Sequence, residues 1–270
     1  MNNYSKQKRG AYAIANIVGL CAVLIINYLA VTQPLNNKTT GELSDLYPNM
    51  FTPAGFTFSI WSIIYSFLIG FIIYQAVELF NQKKDVEKII RISPYFLLNC
   101  LLNGAWLFAW HYLFIGLSVF IMFALLGTLL IIHHKLNLAL PLSPLSQKLW
   151  LDIPFSLYLG WISIATIANI TAYLVSENIE PFSIPATIWT IIMIIVGAIL
   201  GLFMVIKKRN IVFGIVVCWA LFGILMKRIQ VGSLGSREII LFAQISIGIV
   251  LAAIVFTLMQ KSNRTIQRLQ

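Results

Sequence analysis

Long apolar runs alternate with short polar breaks along the whole chain. A helix needs about 20 apolar residues to cross the hydrocarbon core of a bilayer. By that measure the runs at about 11–32, 56–80, 94–113, 115–137, 150–175, 186–206, 211–227 and 238–260 predict eight transmembrane helices. Only His111 to Gly116 separates the third run from the fourth, so a tight surface turn is expected there. The seventh run stops early, at Lys227, and predicts a tilted or partial span. The first run follows Lys6, Lys8 and Arg9, as a signal sequence would. It is longer than an ordinary signal core and no small-x-small cleavage pattern follows, so an uncleaved span is expected.

Polar and aromatic residues inside the runs fall in stripes. Helical residues advance about 100° each. Asn99, Asn103, Trp106 and Trp110 therefore share one face of the third helix. Tyr158, Trp161, Thr166, Asn169 and Tyr173 share a sector of the fifth, Trp61, Tyr65 and Gln75 a face of the second, and Tyr12, Asn16 and Asn27 a face of the first. An amide within lipid must find a partner or line a cavity. Interhelical hydrogen bonds would account for any one of them. Four aligned stripes point to a shared amphipathic pocket. The last three runs lack such stripes, and the sixth is nearly all aliphatic, with Gly197 and Gly201 spaced for close helix packing. Glu177, Asn178, Glu180, Pro181 and Pro185 mark a boundary. The expected organisation is a five-helix unit over 1–177 and a three-helix extension over 178–270. No internal repeat supports a paired-repeat transporter.

Composition narrows the class. The chain is 59% hydrophobic and 10% charged, where soluble proteins carry about 25% charge. A soluble globular protein is excluded, and the expected fold class is an all-α polytopic membrane protein. The net charge of +10 does not call for nucleic acid. With both termini cytoplasmic, all of the 19 basic residues except Lys38, Lys227, Arg228 and Arg237 fall on the inside, as the positive-inside rule requires. The expected partners are membrane lipids, a small hydrophobic ligand and a second copy of the chain.

Soluble-type catalytic apparatus is missing from the sequence: there is no HExxH, no GxSxG and no phosphate-binding glycine loop. Cys21, Cys100 and Cys218 stand singly in different spans and read as small apolar fillers. His111, His133 and His134 read as interfacial. A binder is expected rather than an enzyme, with no required cofactor or metal.

The stretch Phe51-Thr-Pro53-Ala-Gly55-Phe56-Thr-Phe58-Ser-Ile-Trp61-Ser-Ile-Ile-Tyr65 joins a polar loop to the second span. Pro53 and Gly55 suit a sharp turn at the membrane surface, and Phe51 and Phe56 suit the interface. Trp61 then lies about one and a half turns into the helix, where its ring can face a cavity. The stretch resembles a motif of the TspO/MBR family, the tryptophan-rich sensory proteins related to the translocator protein. That motif has a second proline where this chain has Ala54. Asn103-Gly-Ala-Trp106 is similar to the family's Asn-x-x-Trp of helix three. Tyr158, Trp161, Thr166 and Asn169 are similar to its Tyr-x-x-Trp and Thr-x-x-Asn of helix five, with Leu157 in place of a family proline. The resemblance covers about residues 10–176, and the last three spans lie outside the usual pattern.

The resemblance implies a TspO-like five-helix bundle in a bacterial cell membrane. It would bind a porphyrin, haem-type compound or sterol-like lipid in a sensory or regulatory role. Carriage of such a ligand and light-dependent porphyrin breakdown are the alternatives. The ligand-binding residues would be Trp61, Tyr65, Asn103, Trp106, Tyr158, Trp161 and Asn169, with Phe51, Pro53 and Phe56 as a lid. The family's sterol-recognition pattern after helix five is absent, because Tyr173 is followed by Leu-Val-Ser-Glu-Asn. Its reversed form is matched by Arg91, Tyr95 and Leu97.

Overall fold

Lipid offers the backbone no hydrogen bonds, so each apolar run closes its own as a helix. The computed structural model describes residues 5–32, 35–81, 85–136, 144–179, 183–232 and 235–266. Lys83, Lys84, Glu180, Pro181 and Arg268, used above for charge and boundaries, lie outside them. Among the described residues eight helices are long and apolar enough to span a membrane. They are α1 (Lys6–Thr32), α3 (Ile60–Asn81, entered through a 3-10 turn at Gly55–Ser59), α4 (Val86–His111), α5 (Ile115–Leu136), α7 (Ile153–Ser176), α8 (Ala186–Ile206), α9 (Ile211–Val231) and α10 (Ser236–Ile266). Two short helices lie between spans: α2 (Thr40–Asp45) and α6 (Leu145–Gln147), which runs through a π turn at Lys148–Asp152 into α7. The all-α polytopic class expected from the sequence is what the chain adopts.

Two boundaries differ from the sequence reading. The third span starts at Val86, not near 94, because its polar first turns are held by Lys88–Asp85 and Arg91–Glu87 ion pairs and Pro94 is accommodated within the helix. The seventh is a full span to Val231: Lys227 pairs with Asp45 at 3.0 Å and Arg228 is buried, so charge does not end the helix. Gly232, at φ 59, does end it. The turn between the third and fourth spans is as tight as expected. Leu113 takes φ 62, and Phe114 N–H donates back to Ala109 O at 2.9 Å, which closes the end of α4.

α4 packs on α1 and α5, α5 on α7, and α7 on α9, while α8, α9 and α10 pack on one another. α7 is the most buried span. One buried hydrophobic cluster runs from Ala13 in α1 to Ala243 in α10, and Phe71, Phe96 and Phe155 meet edge-on within it. Gly197 faces Ile164 of α7 and Gly201 faces Val217 of α9, so the α8 glycines permit close approach as their spacing suggests. α7 ends at Ser176 with Asn178 at φ 54. Cys21 is exposed on the outside of the bundle and is not a core filler, and His111 is fully buried with Nδ1 2.8 Å from Leu107 O.

Candidate functional site

The loop before α3 is built by local chemistry. Thr39 and Glu42 form a capping box at the start of α2, and the hydrogen bonds from Thr39 hold the Glu42 carboxyl below its usual pKa. Asn49 Oδ1 accepts from the N–H groups of Phe51 and Thr52 at 3.0 and 2.9 Å. That turn drives Phe51 inward, where it is 1% exposed. The 54–57 turn is then tied to α9. Ala54 N–H donates to Gly223 O and Trp219 Nε1–H to Thr57 O, both at 3.0 Å.

Under this loop lies a small aromatic cavity of about 50 Å3. Phe51, Pro53, Trp61, Trp106, Trp161 and Asn169 line it, together with Phe58 and Trp110. The rings form a box: Trp61 meets Trp161 at 6.2 Å, Phe58 meets Trp161 at 5.9 Å, both edge-on, and Trp106 stacks on Trp110 at 5.8 Å. A wider cleft of about 630 Å3 runs alongside, between α1, α2 and α3. It shares Thr40, Phe58, Trp61 and Trp106 with the cavity and adds Tyr65, which stacks on Trp61 at 5.3 Å.

The structure thus brings six of the ten residues expected to bind or cover the ligand to the cavity wall, and Tyr65 to the cleft. The other three sit elsewhere. Asn103 and Tyr158 lie behind the wall, where Asn103 Nδ2 donates to Tyr158 Oη at 2.7 Å. Asn103 Oδ1 accepts from Asn27 Nδ2 at 3.2 Å and from Tyr65 Oη–H at 3.4 Å. Phe56 packs edge-on against Trp219 and Phe222 of α9, at 5.5 and 6.0 Å, and is 42% exposed.

Most of the striped amides are satisfied within the bundle. Trp106 Nε1 donates to Asn169 Oδ1, and Asn169 Nδ2 donates to Ser118 Oγ, each at 2.8 Å. Asn99 donates to Thr128, and Asn16 to Gln75 and Ser93. The amides bind helix to helix. By contrast, the buried Trp161 Nε1–H has no acceptor among the described residues. A buried indole donor normally finds a partner; here the Trp161 ring is instead met edge-on by Phe58 and Trp61.

Sequence reasoning missed Phe58 and the two α9 residues Ala220 and Ile224, all of which line the cavity. Phe58 was visible in principle, three residues before Trp61 and leading to the same face. Ala220 and Ile224 gave no signal, because an apolar wall needs no polar stripe. No cluster of three or more His, Cys, Asp or Glu suited to a metal occurs among the described residues.

Eight membrane-length helices among the described residues define a multi-pass α-helical membrane protein, in which α3, α4, α7, α9 and the 40–58 segment enclose an aromatic cavity. A family model for TSPO-like protein matches residues 13–257, and the chain belongs to that family. The match extends through most of the last three helices, which the sequence reading placed outside the family pattern. No curated protein and no solved structure matches the chain significantly.

Proposed function

We propose that the chain binds a flat hydrophobic ligand, of the porphyrin or sterol-like class, at the aromatic box, and that it senses or regulates through that binding. The observation that carries this reading is the unpartnered Trp161 N–H inside a wall of large rings. Pockets for drug-sized ligands run to roughly 300–1,000 Å3. The cavity of about 50 Å3 is too small alone, whereas the adjoining cleft of about 630 Å3 is not. In this reading the ligand's flat body lies along the Trp61–Tyr65 stack in the cleft. One edge passes between Phe58 and Trp61 and offers an acceptor to Trp161. The lid would be the Phe51–Pro53 segment.

Protoporphyrin IX titrated into the purified protein in the dark, followed by the porphyrin's own absorbance, is the direct test. Saturable binding is expected, with the porphyrin recovered unchanged after illumination in air. Loss of porphyrin under light and oxygen would make the protein an enzyme, and absence of saturation would remove porphyrin as the ligand.

We place both termini on the cytoplasmic side of a cell membrane, on the strength of the basic residues gathered at that face. Asn37→Cys, in a background without the native cysteines, should react with an impermeant thiol reagent added outside intact cells. Protection from the outside with labelling in inverted vesicles would reverse the orientation.

A further inference from the structure

Lys227 and Arg228 do not follow the charge pattern of the chain, because they lie at the membrane face opposite the termini. The structure places both on the wall of a cleft of about 710 Å3 between the end of α7, the start of α8, the end of α9 and the 44–52 segment. The wall is largely apolar, with Leu174, Val175, Ile184 and Val231. Arg228 is 6% exposed, its buried Nε has no partner, and no protein acceptor among the described residues takes a hydrogen bond from its guanidinium. The carboxylate of the cleft, Asp45, is held at 3.0 Å by Lys227 and also acts on Arg228 through its charge, without a hydrogen bond to it. Trp189, on the same wall, has a second buried N–H without an acceptor among the described residues.

A buried cation without a hydrogen-bonded partner is costly. The carboxyl end of α9 favours a positive charge at Arg228 but gives it no hydrogen bond. The amino end of α8, at Ala186, adds partial positive charge to the cleft. Two unanswered donors, a neighbouring ammonium and a helix amino end select an oxyanion. The apolar wall at the membrane surface selects one that carries a hydrocarbon chain.

We propose that this cleft binds the phosphate headgroup of an anionic lipid. Arg228 and Trp189 donate to the phosphate oxygens, Lys227 adds charge, and an acyl chain covers Leu174, Ile184 and Val231. The cleft shares Ser44 with the aromatic cavity and Asp45 with the 630 Å3 cleft beside it, but its donors, Arg228, Trp189 and Lys227, line neither.

The full chain, purified in a neutral maltoside detergent, is titrated with phosphatidylglycerol, phosphatidylcholine and inorganic phosphate, with bound lipid counted by native mass spectrometry. Phosphatidylglycerol should bind about tenfold tighter than phosphatidylcholine, and Arg228→Gln should weaken it by about tenfold or more. Asp45→Asn should strengthen it by several-fold, since it removes the competing carboxylate and releases Lys227, and a merely damaged fold would not do that. Lys207→Gln, an exposed lysine at the other membrane face, should change nothing. The proposal is overturned if Arg228→Gln binds within about twofold of the wild type, if Asp45→Asn binds no tighter, or if inorganic phosphate binds as well as the lipid. Should Arg228→Gln fail to fold, the Asp45→Asn result and the lipid selectivity of the wild type decide.

Discussion

Trp61→Ala should weaken porphyrin binding by roughly 5- to 150-fold. The factor corresponds to about 1–3 kcal/mol for loss of one large buried contact surface. Trp61 is the hinge of the site: it stacks on Tyr65 in the cleft and meets Tyr158 and Trp161 edge-on at 5.8 and 6.2 Å. Trp61→Phe should be milder, since most of the stacking face survives. Asn103→Leu separates wall from scaffold. Asn103 is bonded to Asn27, Tyr65 and Tyr158 and lines neither cavity nor cleft, so its loss should lower the melting temperature while the remaining folded protein still binds porphyrin. Direct porphyrin titration together with thermal unfolding checks both. Equal affinity of Trp61→Ala and the wild type would put the ligand elsewhere.

Gly223→Ala should destabilise the protein by about 1–3 kcal/mol, the usual cost of overpacking. A Cβ at Gly223 would overlap the Thr57 side chain, which is fully buried and cannot swing away. The Gly223 carbonyl accepts from Ala54 N–H, so the overlap would press apart the contact that holds the loop on α9. Ala220 and Ile224 flank this point and line the cavity, so the variant should also bind porphyrin less tightly. A melting temperature and affinity like those of the wild type would show that α9 does not brace the site.

The number of spans and their class were legible because lipid imposes one rule on every run: enough apolar residues, with backbone bonds closed inside the helix. The rings of the cavity were legible too. Trp61, Trp106 and Trp161 are large, fall at helical spacing and resemble family motifs, and all three reach one cavity. What could not be read was which amides spend their hydrogen bonds on one another. Asn103 and Trp161 look alike as striped polar groups, yet the amide of Asn103 is bonded to other helices and the indole of Trp161 has no acceptor among the described residues. That difference depends on the lateral order of the helices, which a hydropathy pattern does not contain. The end of α9 was hidden for a related reason. Lys227 stopped the apolar run, and only the fold brings Asp45 beside it, from a distant part of the chain.

Trp161→Phe tests the account most directly, because it deletes one N–H and keeps most of the ring. Wild type, Trp161→Phe and, as a control in the π turn before α7 where the ring packs on Gly70 of α3, Trp150→Phe are titrated with protoporphyrin IX in the dark. The account predicts a loss of roughly 2- to 10-fold in affinity for Trp161→Phe, the worth of one hydrogen bond, with an unchanged melting temperature and no effect of Trp150→Phe. Binding by Trp161→Phe as tight as the wild type, or weakened no more than by Trp150→Phe, would contradict it.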